Sequence, residues 1–283
     1  MRKKSYPVII LSAILLTFIF GGLSLSSQAP LKILLSNDDG IDAPGIAALF
    51  KTLSKIGTVT VAAPSQEASG ASHSVTSRDP IPVTETEKNG SKWFSITATP
   101  ATCVRLALES LVKDQPDIVV SGINRGENLG TVTFYSATVG SAREAAMKGI
   151  PSIAAHFGRG KTMDYGLAAE FIADLVKSLR EKPMRPGMFL NVNVPNLPKD
   201  KIRGVMVVPQ DTRPPYEFYE RRVNPLGQVY FWNTYKPLEP GQDKTDVWAF
   251  YNGYITISPL QVDQTSYPEL KLFESLKIAA WTK

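Results

Sequence analysis

The chain has a single cysteine, Cys103, so no disulfide framework holds it together. It has only two histidines, His73 and His156. Strong charge of either sign is also missing. The formal net charge is +5, and without Arg2, Lys3 and Lys4, which sit in a segment with no acid, 28 basic residues face 26 acidic ones. That balance is no nucleic-acid footprint, and no basic stripe interleaved with aromatics is present. The sequence contains no internal repeat and no low-complexity segment. What it does have is a hydrophobic fraction of 43% over 283 residues, enough to build the core of one large domain or of a domain with an appendage.

The N-terminus has three parts. Arg2-Lys3-Lys4 precedes an apolar run over residues 7–20, and residues 21–29 form a small polar tail. This is the layout of a secretory signal peptide over residues 1–29, with Ser27-Gln28-Ala29 as the cleavage site. The reading predicts a secreted or periplasmic protein with no membrane attachment after cleavage. The alternative is retention of residues 7–20 as an anchor, although the run is short for a membrane-spanning helix.

From residue 31 to about 195, apolar strands alternate with helical patterns, which implies a parallel sheet with right-handed crossovers. Strands are expected at residues 31–36, 58–63, 93–97, 117–121, 151–155 and 188–194. Helices are expected around residues 46–56, 100–112, 138–148 and 167–179. After Pro195 the pattern changes: a strand at 202–208, a two-stranded ribbon over 214–233 turning at Asn224-Pro225-Leu226-Gly227, a strand at 253–260 and a helix over 267–281. This divides the chain into a core of residues 30–200 and a C-terminal extension of residues 201–283. The ribbon carries Tyr216, Phe218, Tyr219, Tyr230, Phe231 and Trp232. So many aromatics on a protruding arm suggest packing against another subunit, the alternative being that the arm folds back on its own domain.

The chemistry is organised around Leu31-Lys32-Ile33-Leu34-Leu35-Ser36-Asn37-Asp38-Asp39-Gly40. An apolar strand stops on two adjacent carboxylates at the edge where open α/β sheets bind ligands. Adjacent carboxylates repel unless a cation such as Mg²⁺ or Mn²⁺ holds them; the alternative is a solvated turn. Three more loops follow strands on the same edge. They are Glu67-Ala68-Ser69-Gly70-Ala71-Ser72-His73-Ser74, Ser121-Gly122-Ile123-Asn124-Arg125-Gly126-Glu127-Asn128 and Tyr135-Ser136-Ala137-Thr138. Carboxylates, a hydroxyl and an amide are hard oxygen donors that suit a catalytic Mg²⁺. Ser136 and Thr138 stand at a helix start, either as caps or as groups that hold a phosphate.

Asn-Asp-Asp-Gly after a first strand, Ser-Gly-Ile-Asn-Arg-Gly-Glu-Asn, and Tyr-Ser-Ala-Thr-Val-Gly-Ser-Ala-Arg-Glu-Ala-Ala together resemble the survival protein SurE family of metal-dependent 5′/3′-nucleotidases. The likeness covers about residues 31–262. It implies a Rossmann-like, three-layer, mostly parallel α/β fold with a C-terminal β-hairpin extension and terminal helix, and hydrolysis of nucleoside monophosphates. It also implies one divalent metal ion per subunit on Asp38, Asp39, Ser69 and Asn124, with Asp38 or Asp39 also serving as base. Substrate phosphate would lie on Asn124, Ser136 and Thr138, and the hairpin of residues 214–234 would join subunits into dimers or tetramers. The chain departs from the family pattern in placing Ala98, Ala137 and Ser72 where the family has glycine, and Glu127 where it has proline. Any of the three former glycine positions that needs positive φ would be altered.

Other candidates are read two ways. His73 is a proton donor to the leaving group or a loop histidine. His156 is structural, Asp246 a possible acid behind the pocket, and Arg143 and Glu144 a helix-surface or loop-tethering pair. Cys103 is core, and Arg125 either ties its loop down or touches substrate. Competing functions are a phosphatase using an aspartyl phosphate, which normally spaces its carboxylates one residue apart, and a non-catalytic extracellular nucleotide- or metal-binding module.

Overall fold

The computed structural model describes residues 29–214, 216–236, 239–241 and 244–276. The N-terminal segment of residues 1–28 and the end of the expected C-terminal helix, residues 277–281, lie outside the described residues.

A nine-stranded sheet forms the centre, in the order β3-β4-β2-β1-β5-β6-β7-β11-β8. The strands are β1 (Leu31–Ser36), β2 (Gly57–Pro64), β3 (Val83–Lys88), β4 (Ser91–Ile96), β5 (Ile118–Arg125), β6 (Ser152–Phe157), β7 (Met188–Val194), β8 (Gly204–Val207) and β11 (Tyr254–Gln261). The strands of the central run β4-β2-β1-β5-β6-β7 pair in parallel. Their side chains are apolar and buried on both faces, as expected where helices cover a parallel sheet on each side. Ile33 and Leu35 pack with α1 (Pro44–Leu53) and α4 (Gly166–Glu181). Leu34, between them in sequence, points to the other face, with Cys103 and Val104 of α2 (Pro100–Leu106) and Ala145 of α3 (Ala137–Met147). The result is the expected three-layer α/β arrangement.

The chain runs outward from β1 through β2 to β4, then returns to β5 on the other side of β1. The C-terminal ends of β1 and β5 therefore diverge, and loops leaving them frame a crevice. Asp38 and Asp39 follow directly on β1. Proline at the first position of α1 starts that helix without a lost hydrogen bond. A Cβ at Gly45 would stand 2.1 Å from the Ile123 carbonyl oxygen, so glycine is what lets α1 rest on β5 here.

Several elements differ from expectation. β5 does not end at Ser121 but continues to Arg125, with a register shift between Ser121 and Asn124, so Asn124 is a strand residue rather than a loop residue. Gly122, at φ +141°, permits that irregularity. β3 stands where no strand was expected, and all six of its side chains are exposed, so no hydrophobic periodicity marks it. It is an antiparallel edge strand joined to β4 through Asn89-Gly90, both at positive φ, and that dipeptide was the available hairpin signal. α5 (Asp246–Tyr251) was also unforeseen; Thr245 caps it by accepting from the Trp248 N–H. β11 inserts between β7 and β8, antiparallel to the first and parallel to the second. The ribbon is present as β9 (Tyr216–Val223) and β10 (Val229–Lys236), antiparallel, with Val223 opposite Val229. It does not fold back over its aromatics: Tyr219, Phe231 and Trp232 each remain more than half exposed. α6 (Tyr267–Glu274) completes the described chain.

Candidate active site

Asp38 is 3% exposed. It accepts a 2.5 Å hydrogen bond from the Thr138 hydroxyl, which reaches it from the first turn of α3. Burial pushes the Asp38 carboxyl up to about 6, the Thr138 hydrogen bond works against this, and the neighbouring Asp39 charge adds to it. Burial raises Asp39 too. The Arg125 N–H, 3.2 Å from Oδ2, counters it, while Glu67 nearby raises it further. Arg125 thus ties its own segment to the acidic pair through the backbone.

The second loop is joined to the first where the Ala68 N–H donates to the Asp38 carbonyl oxygen at 2.8 Å. This brings Ser69 to the same sheet edge, where its hydroxyl donates to Glu67 at 3.1 Å. Asn124 is buried, and its amide nitrogen donates to the Gly126 carbonyl at 2.8 Å. No hydrogen bond among the described residues uses the Asn124 side-chain oxygen. The Asn37 side-chain oxygen is likewise buried without a partner.

Ser136 is the N-cap of α3 and accepts from the Val139 N–H at 3.2 Å, which leaves its own O–H free to donate. Thr138 behaves differently from expectation. Its hydroxyl proton is committed to Asp38, so in this arrangement the helix start already holds one carboxylate. Of the three former glycine positions, only Ser72 has positive φ, at +55°; Ala98 and Ala137 do not. The Ser72 hydroxyl bonds the Phe134 carbonyl, and its own carbonyl lies where a Cβ on Gly140 would stand 2.3 Å away. The second loop is therefore packed directly on α3.

Glu144, 1% exposed, completes that attachment. The His73 ring donates from Nε2 to one carboxylate oxygen at 2.8 Å, and Arg105 donates through Nε and Nη2 at 2.8 and 3.0 Å. Burial alone would raise Glu144, but the hydrogen bonds and charges of His73 and Arg105 outweigh it and hold the carboxyl at about 2. His73 and Glu144 thus tether the loop. Arg143 is not their partner and lies over the Phe189 ring. Cys103 is core, its thiol pushed by burial up to about 12. Asp246 does not reach toward Asp38. It is fully buried and accepts the N–H groups of Gly130, Asp211 and Val247, pinning the loop after β5 to α5.

Sequence reasoning missed the supports behind Asn124. Asn191 and Asn193 lie in β7, Asn128 follows β5, and His156 is in β6. Asparagine at two alternate positions of an otherwise apolar buried strand was the available signal, because buried amides require partners.

Among the described residues no group of three or more His, Cys, Asp or Glu side chains is placed to hold a metal ion. The site instead offers two carboxylates raised by burial, together with neutral oxygens on Asn124 and Ser69. Carboxylate repulsion in a dry pocket and uncommitted amide oxygens are what a divalent cation relieves, so the residues fit such an ion.

Residues 33–216 match the family model described as survival protein SurE. A protein named 5′-nucleotidase SurE from Syntrophobacter fumaroxidans is 42% identical over 239 residues, covering 84% of this chain and 96% of the relative. One of the same name from Aeromonas hydrophila is 43% identical over 246 residues, covering 85% and 96%. The crystal structure of a SurE protein from Aquifex aeolicus superposes with a TM-score of 0.78 at 35% identity, covering 87% of this chain and 99% of that one.

These relatives correct the expectation of a secreted or periplasmic protein, or of one anchored by residues 7–20. Proteins of this name are generally cytoplasmic; residues 7–20 themselves lie outside the described residues. A short apolar run behind three basic residues is a compositional signal that no packing interaction checks. By the matched span, the identity of these relatives and the shared fold, the chain belongs to the survival protein SurE family.

Proposed function

We propose that this chain hydrolyses nucleoside monophosphates with one Mg²⁺ or Mn²⁺ per subunit, held by Asp38, Asp39, Ser69 and Asn124. Membership of the family makes it a nucleotidase, and gives no support to the non-catalytic module. SurE nucleotidases are in general metal-dependent. The observation that carries the residue assignment is the buried Asp38, raised further by the charge of the half-buried Asp39 next to it, at the crevice between β1 and β5, with the Asn124 oxygen uncommitted at the same edge.

The bound cation supplies polarisation of a phosphoryl oxygen and a more acidic water. Asp38, held in one orientation by Thr138, accepts the proton of the attacking water. The free O–H of Ser136 and the first-turn N–H groups of α3 hold the equatorial phosphate oxygens, where charge grows in the transition state. Thr138 contributes to phosphate through Asp38 rather than by donating its own proton. Residues 30–200 serve as the catalytic core, and residues 201–283 as the extension that closes the sheet with β8 and β11. The measurement is phosphate release from a panel of 5′- and 3′-nucleoside monophosphates with Mn²⁺ or Mg²⁺. Release that stops under chelation is expected; no release from any substrate would overturn the reading.

The β9–β10 hairpin joins subunits into an even oligomer. Tyr219 and Phe231 lie on one face of the ribbon by strand alternation and Trp232 on the other, so both faces present exposed aromatics that a second copy would cover. Phe231→Glu with Trp232→Glu is expected to halve the mass measured by light scattering, at least. An unchanged mass would remove the hairpin from the interface.

A further inference from the structure

The buried amide cluster behind Asn124 has no part in the chemistry above, and its geometry is specific. Asn124 donates from Nδ2 to the Gly126 carbonyl at 2.8 Å, and Asn128 donates from Nδ2 to the same oxygen at 3.4 Å. Asn128 is in turn held at its backbone and at its side-chain nitrogen. Its N–H donates to the Asn193 side-chain oxygen at 2.8 Å. Its carbonyl accepts from Asn191 at 2.9 Å and from Asn193 at 3.2 Å. Its side-chain nitrogen lies 3.2 Å from Nδ1 of His156. An amide nitrogen only donates, so Nδ1 is the acceptor and His156 is neutral with its proton on Nε2. Burial keeps it so, pulling the imidazole down to about 3.

Much of this satisfies backbone in a buried turn, which any fold requires. The Asn128 side chain does two things: it is the partner of the buried His156 Nδ1, and it shares the Gly126 oxygen with Asn124. The Gly126 oxygen already has Asn124. What the shared oxygen does is fix where the Asn124 amide nitrogen sits, and the side-chain oxygen of a planar amide follows from the nitrogen's position.

We propose that Asn128, held by His156, Asn191 and Asn193, is a positioning residue that fixes the Asn124 side-chain oxygen for the divalent cation. The inference rests on the reading of Asn124 as a ligand. Groups that orient ligands typically change metal affinity by about 10–100-fold when removed. They do not take part in bond breaking, so the turnover number at saturating metal is spared.

The test is calorimetric titration of the metal-free protein with Mn²⁺, alongside turnover at saturating Mn²⁺ and thermal melts in chelator. Asn128→Ala keeps the backbone bonds to Asn191 and Asn193 and removes only the side chain. It is expected to weaken Mn²⁺ binding by about tenfold while turnover at saturation stays within about twofold of the parent. A fall in melting temperature with unchanged Mn²⁺ affinity would show a purely structural role and overturn the proposal. If Asn128→Ala does not fold, His156→Asn and His156→Leu decide the matter. Asparagine places an acceptor near the position of Nδ1 and should retain Mn²⁺ affinity, whereas leucine should lose it; equal affinities in the two would overturn the proposal. Asn124→Ala separates the two layers of the argument: if it leaves Mn²⁺ affinity intact, the ligand assignment itself fails, whatever Asn128 does.

Discussion

Asp39→Asn is expected to lower kcat/KM for a nucleoside monophosphate by about 10³-fold, equivalent to ~4 kcal/mol of transition-state stabilisation, with the fold retained. The substitution keeps an oxygen in reach of the Arg125 N–H and nearly the same volume, so β1 and β5 should remain joined as they are. What it removes is one of the two carboxylates proposed to hold the cation. Ser69 and Asn124 offer neutral oxygens, which do not replace the lost carboxylate charge. The decisive measurement is kcat/KM with saturating Mn²⁺, with circular dichroism reporting the fold. Full activity in this variant would mean that the acidic pair does not hold the metal.

In chelator, Asp38 should favour the folded state more as the pH falls from 7 to 5, against His156, whose imidazole, held down to about 3 by burial, gives the opposite slope over the same window. Asp38 ionises at about 6 in the folded chain against 3.8 for an ordinary aspartate, so the native state holds this proton more tightly than the unfolded one between those values. The Asp38 contribution to stability therefore falls as pH rises through that window. The separation corresponds to about 3 kcal/mol of destabilisation once the pH is above both values. Asp39, also raised by burial, acts in the same direction. Glu144 opposes them lower on the scale: its stabilisation is complete above 4.5 and is lost as the pH falls toward 2. The interval from pH 7 to 5 consequently reports the acidic pair with little interference from Glu144. Urea melts of the parent and of Asp38→Asn in chelator separate the two: the stability of the parent relative to Asp38→Asn should rise as the pH falls from 7 to 5, and saturating Mn²⁺ should abolish that rise by making the ionised pair the favoured state. A difference between the two proteins that does not change with pH would remove Asp38 as the titrating group.

The same buried carboxylates explain why apolar strands and acids are adjacent here. A parallel sheet buries its strands on both faces, and the only polar exits are the strand ends. The acid pair, Ser69, Asn124 and the start of α3 all stand at one edge because parallel strands all end there. This much could be read along the chain: an apolar run ending in Asn-Asp-Asp-Gly, and turns rich in glycine and hydroxyls after the later strands. The sheet order could not. That β5 lies beside β1 rather than beyond β4 depends on which apolar faces pack together, and no local pattern records it.

Errors at particular elements have the same origin. β3 is exposed along its whole length, so no hydrophobic periodicity marks it, and only its pairing with β4 makes it a strand. Asn124 looked like a loop residue because Ser-Gly interrupts the apolar run, yet β6 reclaims it through the pair with His156. Thr138 was legible by position as a helix-start hydroxyl; that it donates to Asp38, 100 residues earlier, is set by the fold alone. Asn128 is the last residue of a loop motif, and Asn191 and Asn193 are alternate residues of an apolar strand, but nothing in either segment says that their amides meet.

The sequence by itself determined the alternation of strands and helices, the aromatic hairpin and the identity of the acidic pair, because each is written in neighbouring residues. The tertiary structure decided what those residues face: Asp38 against Thr138, His73 against Glu144, Asn124 supported from β6 and β7. Those contacts join residues from roughly 30 to 100 positions apart, and only the packing of the layers on the sheet sets them.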